Sequence, residues 1–272
     1  MPLVPEDDPA ALAELLGYLG EIGYGELYLK RSPGAPAAGL SAAAAGSGES
    51  DPAARQALAD LAAAARGAVR AAAGAPAVRD EAGQAETAAV LAAMAETVAA
   101  CRRCRLCEGR QKTVFGAGNI QADLMFIGEG PGAEEDRQGL PFVGRAGELL
   151  TRIIEAIGMT REQVYIANIV KCRPPGNRDP QPDEVAACRP YLERQIALIR
   201  PRLLVALGRI AAQTLLGNDL PIGRMRGQWF TVLGVPTMVT YHPAALLRNP
   251  ALKRPTWEDM QQVRDRLHDA AP

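Results

Sequence analysis

Residues 124–136, LMFIGEGPGAEED, constrain the fold of this chain more than any other stretch. The apolar run Leu124-Met125-Phe126-Ile127 is short, uninterrupted and bounded by glycine, which is the pattern of a strand buried in a parallel sheet. It stops at Gly128-Glu129-Gly130-Pro131-Gly132, where three glycines and a proline exclude both helix and ladder. In an open α/β sheet, ligands bind where a loop leaves the carboxyl end of a strand. The loop here carries a carboxylate, Glu129, between two glycines. A phosphate cradle wants bare N–H groups and no nearby anion. Glu129 and the missing G-x-G-x-x-G spacing therefore argue against a dinucleotide site. A carboxylate on a tight glycine turn suits acid–base work or the positioning of a water; the bland alternative is a solvated turn glutamate.

The same punctuation recurs downstream. Val164–Val170 reads as a second buried strand with one polar residue, Asn168, two positions before its end. Leu203–Leu207 is a third, ending in Gly208. Helical spacing fills the intervals: Gly144–Ile157, Asp183–Ile199 and a short helix over Ile210–Leu216. Arg137–Phe142 is loop-like, with Pro141 keeping Phe142 out of a helix. Trp229–Leu233 and Pro236–Thr240 pair as strands across Gly234, Tyr241-His242-Pro243 breaks the pattern, and Pro255–His268 closes the chain as a helix. This alternation predicts an α/β three-layer sandwich, a central, mostly parallel sheet with helices on both faces.

The first third is different. Asp8-Pro9 resembles a helix start, and Leu12, Leu15, Leu16, Leu19 and Ile22 follow with helical spacing, giving an amphipathic segment over residues 1–31. Its apolar stripe must dock on the main domain, on a copy of itself or on a partner. Residues 32–84, rich in Ala, Gly, Pro and Ser, read as a flexible, disordered linker. Order is expected to return near Glu86, so that residues 85–272 form the globular domain. Residues 1–100 carry a net charge of −7 and the remainder +6, although the whole chain sums to −1. A basic domain hints at a polyanionic partner. No run of 18 apolar residues exists to span a membrane, and the acidic N-terminus lacks the basic start of a signal peptide. The expectation is a cytoplasmic protein with no membrane partner, and nothing in it demands more than a monomer.

In that compartment five cysteines read as ligands or free thiols rather than disulfides. Cys101 and Cys104 form C-x2-C; Cys172 and Cys188 form C-x15-C. Val90, Leu91, Met94, Val98 and Cys101 share one helical face, and that helix is predicted to deliver Cys101 and Cys104. Four thiolates suit zinc or an iron–sulfur cluster, and the spacing alone leaves both open. Cys107 is spare.

Taken in order, the motifs C-R-R-C-R-L-C-E-G-R, V-F-G-A-G-N, G-E-G-P-G-A-E-E-D, G-L-P-F-V-G-R-A-G, N-I-V-K-C-R-P-P-G-N-R and H-P-A-A-L-L-R-N-P resemble the family 4 uracil-DNA glycosylases, which carry a [4Fe–4S] cluster. The resemblance covers about Cys101 to Leu267 and leaves residues 1–85 unaccounted for. It implies a uracil-DNA glycosylase-like fold with Cys101, Cys104, Cys172 and Cys188 as cluster ligands. Glu129 would position the attacking water, Gly130 would leave space beside the uracil, Phe142 would stack on it, Asn168 would read its polar edge, and His242 would donate to its carbonyl. A related subgroup inserts a basic loop ending in a nucleophilic histidine after the second strand. Here Lys171-Cys172-Arg173-Pro174-Pro175 follows directly, so no covalent DNA adduct is implied.

Breaking the C1′–N bond of deoxyuridine makes the sugar cation-like and the uracil an anion. A carboxylate near C1′ stabilises the first, as at other anomeric carbons, and a donor at the uracil oxygen stabilises the second. The base must leave the stack. Leu246 and Leu247 are candidates to plug the hole, and Arg248, Arg173 and Arg178 to hold phosphates. Singly, His242 reads as a loop residue, Asn168 as a bulge, and Phe142 and the leucine pair as core; together they favour the enzyme. The expected partner is uracil-containing single- or double-stranded DNA, and the N-terminal segment could bind a replication or repair partner. The cluster is expected to be structural, pinning the helix of Cys101 to the loop and helix of Cys172 and Cys188. The rivals are a non-catalytic iron–sulfur or zinc DNA-binding or redox protein, and a glycosylase for another deaminated base.

Overall fold

The structure is a computed structural model that describes residues 81–269. The helical segment expected over 1–31 and most of the linker expected over 32–84 lie outside the described residues. Helix α1 spans Glu81–Ala99 and buries Leu91 and Val98. It ends before the cysteines: Cys101 N–H donates to Val98 O at 3.1 Å, and Arg110 Nη2 takes the Ala99 carbonyl at 2.8 Å. Cys101 and Cys104 therefore sit on the loop after the helix, not on the helix as the apolar spacing suggests. A short helix α2, Leu106–Gly109, follows them.

From there the alternation holds. The elements are β1 (Ala117–Gly118), β2 (Leu124–Gly128), α3 (Ala133–Gln138), α4 (Arg145–Ala156), β3 (Tyr165–Asn168), α5 (Pro182–Ile199), β4 (Leu203–Leu207), α6 (Arg209–Leu216), α7 (Ile222–Met225), β5 (Trp229–Val232), β6 (Val235–Thr240), α8 (Pro243–Arg248) and α9 (Lys253–Asp269). The sheet runs β1-β3-β2-β4-β6-β5, with the four inner strands parallel and both edge strands antiparallel to their neighbours. Antiparallel edges on a parallel centre are common where hairpins close the sheet.

Side chains alternate faces along each strand. From β2, Met125 and Ile127 pack with Leu192 and Ile196 of α5 and Ala211 and Ala212 of α6. Leu124 and Phe126 pack on the other side with Leu150 and Ile154 of α4 and Met260 and Val263 of α9. Helices thus cover both faces, giving the three layers expected. All five residues of β2 and of β4 are buried, which is why those runs carry no polar residue. Among the described residues no helix is long and apolar enough to cross a membrane.

Strand β3 ends at Asn168, two residues earlier than predicted. Ile169 and Val170 stay buried but leave the sheet, their N–H groups donating to Gly128 O at 2.9 Å and Glu129 O at 3.1 Å. The register pairs Gly128 with Asn168 and Leu207 with Thr240, so four parallel strands end at one level. A cavity opens at this edge of the sheet.

Candidate active site

The carboxyl ends of the parallel strands open into a cavity of about 510 Å³. Glu129, Gly130, Phe142, Asn168 and His242 all line it, together with Arg178 and Arg248. Glu129 and His242, 113 positions apart, meet with Asn168 because each ends or closely follows a strand of the same parallel set, and Phe142 is brought in by the loop between α3 and α4.

Glu129 leaves β2 and turns into the cavity wall. Burial, and secondarily the Asp179 carboxylate, push its pKa up to about 7, against the pull of Arg209. Asp179 and Arg209 pair with each other at 2.6 Å on the cavity rim. Neither was singled out from sequence, since an Asp in a proline-rich loop and an Arg after a glycine carry no signal of proximity.

Asn168 is 1% exposed, and its Oδ1 is the buried side-chain oxygen or nitrogen without a hydrogen-bond partner among the described residues. Such an atom is costly to leave unpaired and is a natural acceptor for a ligand. Phe142 closes the slot opposite. Its φ of +52°, strained for an aromatic residue, is held from several sides. Glu135 Oε1 accepts from Val143 N–H at 2.9 Å and Gly144 N–H at 3.0 Å, and the Arg161 guanidinium donates to Pro141 O. Gly128 makes the slot possible: a Cβ there would meet Asn168 Oδ1 at 2.4 Å and Phe142 Cζ at 2.6 Å. At Gly130 an added Cβ would strike Val170 Cγ2 at 2.8 Å. A side chain at that position would therefore collide with the buried Val170 of the core.

His242 directly follows β6 and Tyr241. Its Nδ1 accepts the Ala244 N–H at 3.1 Å, capping α8, which leaves the ring proton on Nε2. Burial, then Arg248, lower its pKa to about 4, with Glu135 opposing. The ring is therefore neutral near pH 7 and a donor through Nε2. It lies 5.5 Å from the Phe142 ring, centroid to centroid, at 33°. Behind it, the buried Asp259 accepts from Thr240 Oγ1 at 2.6 Å and pairs with Arg226, anchoring the end of β6 to α9.

The candidate DNA contacts divide. Leu246 is 2% exposed and packed into the domain, so it cannot enter a duplex; α8 turns it inward and leaves Leu247, 41% exposed, facing out. Arg178 is spent on Glu184, a fully buried carboxylate, in a two-pronged pair at 2.8 and 2.7 Å. A phosphate would have to compete with that pair. Arg173 donates to Asn177 Oδ1 at 2.8 Å in the exposed loop, and Arg248 is exposed on the cavity rim.

Away from this cavity, Cys101, Cys104, Cys107, Cys172 and Cys188 line one small hollow beside Arg103, Arg110 and Tyr191. All five are free thiols. Among the described residues no three Cys, His, Asp or Glu side chains form a set that would close on a single metal ion. Three of the sulfurs have donors: Tyr191 Oη to Cys101 at 3.7 Å, Arg110 Nη1 to Cys172 at 3.3 Å and the Lys171 N–H to Cys188 at 3.3 Å. No hydrogen bond among the described residues ends on Cys107. Arg110 and Tyr191 were not anticipated from sequence.

Comparison with known proteins accords with this geometry. Residues 115–261 match the uracil DNA glycosylase superfamily. The type-4 uracil-DNA glycosylase of Saccharolobus solfataricus is 47% identical over 183 residues, 64% of this chain and 85% of that protein. The type-4 enzyme of Thermotoga maritima is 45% identical over 175 residues, 63% of this chain and 91% of that protein. A type-5 uracil-DNA glycosylase of Thermus thermophilus is more distant, 32% identical over 158 residues, 46% of this chain and 72% of that protein. With the family matched over residues 115–261 and type-4 relatives covered to 85% and 91% of their length, the chain belongs to the uracil-DNA glycosylase superfamily, in its type-4 branch.

Proposed function

We propose that the protein is a monofunctional uracil-DNA glycosylase, which hydrolyses the N-glycosidic bond of deoxyuridine in DNA with water as nucleophile and leaves an abasic site. One observation carries the reading: the unpartnered Oδ1 of Asn168 lies in the slot bounded by Phe142, in the cavity that Glu129 and His242 also line. Uracil presents an N3–H beside its 4-carbonyl, and a side-chain amide meets both, accepting at Oδ1 and donating through Nδ2. Cytosine presents the opposite polarity and would leave the amide mispaired, which a site of this kind rejects strongly. Phe142 stacks on the base and recovers about 1–3 kcal/mol of the cost of extruding it.

His242 serves as a neutral donor. Its Nε2–H points a hydrogen bond at the uracil oxygen on which negative charge collects, with no proton transferred. Glu129, ionised, orients the water and faces the cationic sugar; that charge in turn favours its ionised form. Leu247, Arg248 and Arg173 remain as contacts for the duplex.

Cys101, Cys104, Cys172 and Cys188 would hold a [4Fe–4S] cluster. Cys101, Cys172 and Cys188 have donors to sulfur, the arrangement that orients and tunes metal-bound thiolates, and Cys104 lines the same hollow. When bound, the cluster supplies a cross-link between the loop after α1, the Arg- and Pro-rich loop of Cys172 and helix α5. Hydrolysis of the glycosidic bond moves no electrons. The test is incubation with uracil-containing single- and double-stranded DNA, followed by alkaline cleavage at abasic sites. Strand scission at uracil is expected; intact strands at stoichiometric protein would refute the proposal.

A further inference from the structure

Lys171 is fully buried, which is rare for a lysine and costly unless every donor is met. The chemistry proposed above does not use it. Its Nζ donates to Asn168 O at 3.0 Å and to Gln195 Oε1 at 2.6 Å, and its charge faces the Phe115 ring at 5.8 Å. Gln195 is locked in turn, its Nε2 donating to Phe115 O at 2.9 Å and Tyr165 Oη at 3.2 Å. The backbone of Lys171 is held as well: its N–H goes to Cys188 Sγ at 3.3 Å, and its carbonyl accepts Val114 N–H at 2.8 Å.

We infer that Lys171 is a positioning residue, clamping the carbonyl of Asn168 to Gln195 on α5 so that the base-reading amide is held at the end of β3. The clamp sits where it matters. Asn168 is the last residue of β3, where the strand ends. The next two residues donate through their N–H groups to the carbonyls of Gly128 and Glu129. Helix α5, 18 residues long and packed in the core, is the rigid body on the other side. Two hydrogen bonds from one buried ammonium, to the Asn168 carbonyl and to the locked Gln195, specify one geometry where an apolar contact would tolerate several.

This inference rests on the glycosylase reading, and its test separates the two. Wild type, Lys171→Met, Asn168→Ala and the double variant are compared in single-turnover uracil release, with iron content and thermal melting measured on each. Lys171→Met is expected to keep its iron and to slow release about tenfold. In the Asn168→Ala background the same substitution is expected to cost less than twofold, because the group it positions is gone; independent effects would multiply. Gln195→Ala, which removes the anchor but keeps the lysine, is expected to show the same non-additivity with a smaller loss, about threefold, and carries the test if Lys171→Met fails to fold. Losses that multiply, or a wild-type rate in both clamp variants, would overturn the inference. Failure of the wild type to release uracil would instead overturn the function.

Discussion

Gly128→Ala should disable the site while leaving the domain folded. The added Cβ would lie 2.4 Å from Asn168 Oδ1 and 2.6 and 2.8 Å from two Phe142 ring carbons, up to about 1 Å inside ordinary contact. Neither neighbour can yield cheaply. Asn168 ends a strand and is clamped through its carbonyl, and Phe142 is fixed at positive φ by Glu135 and Arg161. Overpacking of this kind costs about 1–3 kcal/mol of stability, a fall in Tm of several degrees for a domain this size. The larger effect is on rate. Displacing the reading amide and the stacking ring by about 1 Å should slow base release roughly 100-fold, about 2.7 kcal/mol of barrier. Affinity for undamaged DNA should not change, since Asn168 and Phe142 are buried rather than on the exposed surface. The assay is single-turnover uracil release with melting in parallel. Gly223→Ala is the control, because a Cβ there meets nothing within 4 Å. A Gly128→Ala protein releasing uracil within threefold of wild type would refute the slot geometry.

Other expectations concern the acid, the imidazole and the cysteines. Because the carboxyl of Glu129 is raised to about 7, first by burial and then by Asp179, kcat/KM should rise with pH through an inflection near 7. Asp179→Asn should move that inflection down and Arg209→Ala should move it up; a profile insensitive to both would exclude Glu129 as the titrating group. Since a carboxyl with a raised folded pKa destabilises once ionised, Glu129→Gln should melt no lower than wild type above pH 7 although inactive. His242, lowered to about 4, should add no inflection between pH 5 and 9. His242→Ala should cost about 100- to 1000-fold in kcat with DNA binding retained, and equal loss of binding in a gel-shift measurement would argue for a structural role. Cys172→Ala should lose iron, visible colour and DNA affinity together; unchanged melting and affinity would refute the cross-linking role.

Much of this architecture is local in origin. The runs Leu124–Ile127 and Leu203–Leu207 are apolar because both faces of the strand are buried, and that need shows in one dimension. Glycine and proline mark the strand ends for a similar reason, since backbone geometry there is set within a few residues. The candidate site was legible through spaced motifs: Glu129, Phe142, Asn168 and His242 could be named in advance, and the cavity holds all four. The cysteines were legible too, although α1 stops at Ala99, because Arg110 captures its last carbonyl and apolar periodicity is blind to such a cap.

What tertiary structure alone decided were relations between distant residues. Leu246 and Leu247 are equivalent as letters, and only the packing of α8 against α4 buries one and exposes the other. Arg178 looked free for phosphate until the fold set Glu184 beside it. Lys171 carries no local signal of its partners, yet it is the hub joining β3, α5 and the Phe115 segment. Periodicity records whether a residue faces water or core. Whose hydrogen bond a buried polar group completes depends on a partner tens of residues away, and no local pattern encodes that distance.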